Sequence, residues 1–207
     1  MKPDSKNERR ILNMKIFSRT VLVSLTLCAA LFVSGCAEVI NATTSKPIEM
    51  KANTRTMGAK LNDEEIETAA KVNIKKADPQ LEHAHVSIDS FNGIVLLTGQ
   101  VQSEELRNLV ADTVYKLNPV REIHNELAVS EPTNFAARSK DAWISTKIKA
   151  QLLADSETES RRIHFVTENQ VVFLMGIVTR AEADRIVDKV SHTSDVQKVV
   201  KVFEYID

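Results

Sequence analysis

The sequence predicts an α+β protein in which one unit occurs twice. Each of two tandem domains has the order αββαβ, with a three-stranded mixed sheet packed on two helices. The first observation is repetition. LLTGQV (96–101) is answered by FLMGIV (173–178), DEEIETAAKVNI (63–74) by DAWISTKIKAQL (141–152), and VREIHNELAV (120–129) by VQKVVKVFEY (196–205), at offsets of 77, 78 and 76. Three blocks in one order, with single-residue slips, are a duplication. The second observation is that each copy alternates helical apolar spacing with short apolar runs bounded by turn residues. The third is composition: 207 residues, 43% hydrophobic, with a net charge of −1. That supports one or two small cores and gives no basic excess to mark a nucleic-acid binder.

Residues 1–35 read as an export signal rather than as part of the fold. Lys15 and Arg19 precede the apolar run TVLVSLTLCAALFVSG, which is short for a membrane span. Met14 begins a segment that is already a complete signal, so translation from Met1 or from Met14 stays open. Val33-Ser34-Gly35-Cys36 resembles the bacterial lipoprotein lipobox. The resemblance implies cleavage before Cys36, a diacylglycerol thioether on its sulfur and an acyl chain, such as palmitate, on its new amino group. No other cofactor is expected. Cys28 leaves with the signal, so no disulfide is expected, although the export route is disulfide-permissive. Residue 37 is Ala rather than the Asp that resembles an inner-membrane retention signal. By that analogy the anchor sits on the periplasmic face of the outer membrane. Residues 36–60 are polar and aperiodic and read as the acylated tether; some 24 residues of coil span roughly 25–30 Å.

The first domain is expected over 61–129 and the second over 139–207, with SEPTNFAAR (130–138) as the linker. Helices are expected at about 62–77 and 140–154. HVSID and GIVLLTGQV follow in the first copy, IHFVTE and QVVFLMGIV in the second; Asn92-Gly93 signals a tight hairpin. Second helices follow at about 103–117 and 180–192, the latter started by a capping box, Thr179 to Glu182. EIHNELAV and KVVKVFEYI close the copies.

No catalytic constellation is present in this pattern, and the chain is read as a non-enzyme. The histidines are His83, His85, His124, His164 and His192; only the first two are close, and without cysteine partners they predict no metal site. No phosphate loop or nucleophile elbow occurs. Gly99 and Gly176 end buried strands and read as structural glycines that permit close backbone approach; contact of bare backbone with a ligand is the alternative. Glu104, Glu105 and Glu182 sit in first helical turns, where negative charge suits the dipole.

The only tryptophan points to a surface function. On helix 140–154, Ile144, Ile148 and Leu152 form the core stripe; Trp143, Thr146, Ala150 and Leu153 lie opposite, flanked by Lys147 and Lys149. The first copy has Glu65, Thr68, Val72 and Lys75 at those four positions. Six Lys and Arg face twelve Asp and Glu in 61–129, a net of −6; ten face eleven in 139–207, a net of −1. An indole among small apolar groups, edged by lysines, suits a membrane interface. Each Lys contributes on the order of 1 kcal/mol at an anionic surface, and a tether supplies an effective concentration on the order of millimolar. Packing of the same face on the first domain or on the linker, against Phe135, is the competing expectation; Phe203 and Tyr205 are placed near the site with their facing open.

Gly99-Gln100-Val101 and Gly176-Ile177-Val178 before the second helices, with Val120, Ile123, Asn125 and Leu127 at the close of the first copy, resemble BON domains. The second copy departs at Lys201 and Phe203. With the lipobox, the chain resembles the dual-BON outer-membrane lipoproteins of Gram-negative bacteria. That resemblance implies two tandem BON domains and binding of anionic phospholipid (phosphatidylglycerol, cardiolipin) at the inner leaflet of the outer membrane. It implies a part in membrane integrity, including at division sites. An adaptor that recruits β-barrel assembly or cell-wall components through the same face is the alternative.

Overall fold

The computed structural model describes residues 55–156 and 158–207. The signal, the lipidation residue Cys36 and the tether to residue 54 lie outside the described residues. The first copy runs α1 (Met57–Ala77), β1 (His85–Phe91), β2 (Ile94–Val101), α2 (Glu104–Tyr115), β3 (Glu122–Asn125) and β4 (Ala128–Val129). The second runs α3 (Phe135–Ala154), β5 (Ile163–Glu168), β6 (Val171–Val178), α4 (Arg180–Ser191) and β7 (Lys198–Tyr205). Each sheet is mixed: β1 is antiparallel to β2 and β3 parallel to it, while β5 is antiparallel to β6 and β7 parallel to it. The α+β architecture is the one expected.

The central strands explain how the copies meet. Every residue of β2 is buried, and all of β6 but its first. Alternate side chains point to opposite faces of a strand, so both faces of each sheet must be covered. Val95, Leu97 and Val101 pack inward with Ile66, Ala70 and Ile74 of α1 and Val110 and Val114 of α2. Val172, Leu174 and Val178 do the same with Ile144, Ile148 and Leu152 of α3. The other faces pack on each other: Phe91, Ile94 and Leu96 meet Phe173, Met175, Ile177 and Val202. The layers are therefore helices, sheet, sheet, helices.

A polar rim surrounds this sheet-on-sheet core. Gln100 Nε2 donates to Glu168 Oε1 at 2.6 Å, and His164 Nε2 lies 3.1 Å from Asp89 Oδ1. Arg121 donates two hydrogen bonds of 3.1 Å to the Glu204 carboxylate, and Asn92 Nδ2 adds a third at 2.7 Å. The Arg121 hydrogen bonds hold the Glu204 carboxyl below its ordinary value. A depressed carboxyl contributes stability above its unfolded pKa of 4.5 and loses it as pH falls through the folded value. Glu204→Gln is therefore expected to lower the thermal midpoint near pH 7, with the difference shrinking as the pH falls below 4.5. A difference that does not change with pH would count against the carboxylate.

Both first helices begin five residues earlier than expected. Thr56 accepts from Ala59 N at 3.1 Å and Asn134 from Ala137 N at 3.0 Å, so these residues are the N-caps. Residues 57–60, expected in the tether, and 135–138, expected in the linker, are helical. The closing strand of the first copy, expected to be continuous, breaks after Asn125. The Asn125 side chain donates to Arg107 O at 3.0 Å, and Leu127 turns into the core, 3% exposed. At α4 only half of the expected capping box forms. Thr179 Oγ1 accepts from Glu182 N at 3.2 Å, but the Glu182 carboxylate is drawn to Arg162 at 2.6 Å.

One acid in each first helix fixes the neighbouring hairpin. Asp63 Oδ1 accepts from Gly93 N at 2.9 Å and Ser90 Oγ at 2.7 Å; Oδ2 accepts from Asn92 N at 2.9 Å and Arg55 Nη1 at 2.7 Å. Asp141 accepts from Asn169 N and Gln170 N, both at 2.8 Å. Asn92, Gly93, Asn169 and Gln170 all have positive φ, as a two-residue hairpin turn requires.

Candidate functional site

Helix α3 has one face for the fold and one for the solvent. Ile144 and Ile148 are fully buried and Leu152 is 2% exposed. On the far side Phe135 is 81% exposed, Trp143 61% and Leu153 65%. Phe135 and Leu153 are eighteen residues apart, about five helical turns, so they share an azimuth; Trp143 lies between them along the axis but about 80° round the helix. At about 1.5 Å per residue the three bound an apolar face about 27 Å long. Ala142, Thr146 and Ala150 fill the spaces and are exposed. Thr146 donates its hydroxyl to Ala142 O at 2.9 Å, which satisfies its polar group and leaves the methyl as its apolar contribution. Trp143 is therefore not packed away on the linker, and Phe135 is not its cover but a second exposed aromatic residue on the same helix.

Cations border this face on both edges. Lys140 and Lys147 lie on one edge, Arg138 and Lys149 on the other. The single carboxylate of α3 is Asp141, buried at the hairpin. Lys147 is not free. Its ammonium donates to Ser194 O at 2.7 Å, Ser194 Oγ at 2.6 Å and Asp195 Oδ2 at 3.0 Å, and it stands 5.9 Å from the Trp143 ring centroid. Lys140 lies 3.4 Å from the same Asp195. Hydrogen bonds from Lys147, then Lys140, hold the Asp195 carboxyl below its ordinary value. Lys147 thus anchors the helix edge to the turn after α4 and flanks the indole, whereas Lys149 is exposed and its ammonium pairs with no carboxylate among the described residues.

The twin helix differs in the middle of the face. α1 also exposes Met57 (72%), Leu61 (59%) and Val72 (46%), but Glu64 and Glu65 stand where α3 has Ala142 and Trp143. Phe203 and Tyr205, whose facing the sequence left open, belong to the second copy's core. Their rings meet edge to face at 6.3 Å, and Arg180 covers Tyr205 at 4.7 Å.

Gly99 and Gly176 occupy matching positions in the sheets. A Cβ on Gly99 would lie 1.9 Å from His85 O, and one on Gly176 would lie 2.9 Å from Arg162 O. Backbone of the adjoining strand fills the space in front of Gly99. Among the described residues no three His, Cys, Asp or Glu gather to hold a metal, and no helix is long and apolar enough to cross a membrane.

The sequence reading missed Phe135 and Arg138 as residues of this face because it began the helix five residues too late. Asn134, two residues after Pro132, was the available signal for an earlier N-cap.

Comparison with known proteins adds the following. The BON domain profile matches residues 62–131 and again 140–207. The chain is 32% identical over 186 residues, 89% of its length and 96% of the relative's, to a Haemophilus influenzae protein named outer membrane lipoprotein DolP. It is 35% identical over 156 residues to a 21 kDa hemolysin of Actinobacillus pleuropneumoniae, covering 73% of this chain and 78% of that one. A solved structural protein of the type III secretion system of Chlamydia trachomatis, CdsD, aligns with a TM-score of 0.27 at 16% identity, covering 70% of this chain and 63% of that one. Neither the matching family nor these names indicate catalysis.

Proposed function

This chain belongs to the BON domain family, one domain in each copy, and is a dual-BON outer-membrane lipoprotein; from that premise we propose that its second domain docks on anionic phospholipid through α3. The observation that supports the reading is the apolar face bounded by Phe135, Trp143 and Leu153, exposed on a helix edged by cations and without an exposed carboxylate. Aromatic and aliphatic side chains partition to the headgroup and acyl boundary, and cations meet lipid phosphates. In this reading Trp143 and Leu153 insert, with Phe135 as a third anchor, and Ala150 and Thr146 let the helix lie close. Lys149 contacts phosphate directly; Lys147 does so only in competition with Ser194 and Asp195, and otherwise orients the indole. Phosphatidylglycerol and cardiolipin of the inner leaflet are the proposed partners, with acylated Cys36 keeping the domain near them. Outer-membrane integrity, including at division sites, is the role that such docking serves.

Protein comprising residues 51–207 should float with phosphatidylglycerol or cardiolipin vesicles. Trp143→Glu should reduce the bound fraction at least tenfold, since a carboxylate replaces the central anchor. Equal flotation of the two proteins would sink the site. The single Trp also reports directly, and its emission should shift to the blue on vesicles. No shift with vesicles, but one with a purified envelope-assembly component, would favour the adaptor reading.

A further inference from the structure

We propose that a groove at the C-terminal end of α3 holds one acyl chain of a single anionic phospholipid, with its phosphate on Lys149; this rests on the lipid reading of α3. The groove has a volume of about 360 Å³ and lies between the last turns of α3 and the start of β5. That is within the range of small-molecule sites. Its walls are mostly hydrocarbon, with Ser160 and His164 beside the apolar side chains. Leu152 and Ile163, 2% and 8% exposed, belong to the core, and Phe165 packs only partly against it. Leu153, 65% exposed, is shared with the docking face, so the groove opens onto the surface proposed to meet the membrane.

Charge placement selects the occupant. His164 also borders the groove, but its Nε2 is turned to Asp89 at 3.1 Å. Among the described residues that line the groove, Lys149 is the cation left at the mouth. Hydrocarbon walls with one cation at the rim fit an amphiphile whose negative group sits directly above its chain. The twin copy is lined differently at the matching place. The β1–β2 and β5–β6 registers align Val86 with Ile163, so Ile88, 4% exposed, stands for Phe165, and Lys75 stands for Leu153. A charged rim and a sealed wall replace the open apolar one. The second domain therefore both lies on the bilayer and draws one lipid chain out of it.

The test separates this from surface docking. The described residues lie in one compact unit, and protein comprising residues 51–207 is titrated with dihexanoylphosphatidylglycerol below its micelle-forming concentration, read by amide NMR. Saturable shifts at Ile163 and Phe165 with one lipid bound are expected. Ser160→Trp, which fills the groove from the half-buried turn before β5, should abolish them while vesicle flotation and the rest of the spectrum persist. Trp143→Glu should do the reverse. Lys149→Glu should weaken monomeric lipid binding by roughly fivefold or more. Absence of saturable shifts, or shifts indifferent to Ser160→Trp, overturns the groove proposal even if flotation is normal. Flotation indifferent to Trp143→Glu overturns instead the docking reading on which it rests.

Discussion

Asp63→Ala is expected to lower the unfolding free energy by about 3–5 kcal/mol, the range for removing one partner of a buried charge network. Four donors converge on this carboxylate: Arg55, Ser90 Oγ and the backbone amides of Asn92 and Gly93. The carboxyl group is nearly inaccessible, so the amides left behind cannot be rehydrated without opening the hairpin. Asp141→Ala loses two hydrogen bonds from backbone amides and no arginine partner, and should cost about 2–3 kcal/mol. Its turn has Gln170 at a φ of 64°, a conformation that disfavours residues with a Cβ, so this hairpin leans on its clamp. Denaturant unfolding of residues 51–207 measures both. A loss below 1 kcal/mol for Asp63→Ala, or a larger loss for Asp141→Ala, would refute the clamp.

These two acids show where the sequence was readable and where it was not. Both stood at the head of the aligned blocks DEEIET and DAWIST, on the same stripe as Ile66 and Ile144. An acid on a buried stripe in both copies was a usable signal for a structural partner, yet hydrophobic periodicity scores it as a break. The duplication, the element order and the core faces of α1 and α3 were legible because burial imposes a period. Helix starts were not, because the first turns at Met57 and Phe135 bury nothing and leave no period to register. The packing of sheet on sheet was half legible. Eight consecutive buried residues in β2 require cover on both faces, but nothing in them names the covering surface. At the candidate site, Trp143, Ala150 and Leu153 stand where helical spacing put them. The tie from Lys147 to Ser194 and Asp195 spans 47 residues or more, and no local pattern carries it.

Gly99→Ala is expected to cost about 4 kcal/mol or more, enough to threaten folding of the first domain. Two effects combine. Gly99 has a φ of 115°, outside the regions open to L-residues, and its added Cβ would lie 1.9 Å from His85 O and 2.9 Å from His85 C. Those are backbone atoms, so relief requires moving β1. His85 pairs with Gln100 in the sheet and lies 3.6 Å from Glu168 of the second copy, so displacing it also disturbs the seam. Gly176→Ala should be milder, on the order of 1–2 kcal/mol. Its φ of 159° is close to extended, and the contacts are Arg162 O at 2.9 Å and the flexible end of Ile163 at 3.1 Å. The order of the two losses separates a structural glycine from a ligand-contacting one. A bare-backbone ligand site would leave the free protein near wild-type stability after either substitution and impair binding alone. With His85 O already against Gly99, loss of stability should come first and be larger in the first copy. Gly99→Ala within 1 kcal/mol of wild type, or less stable protein from Gly176→Ala, would contradict that.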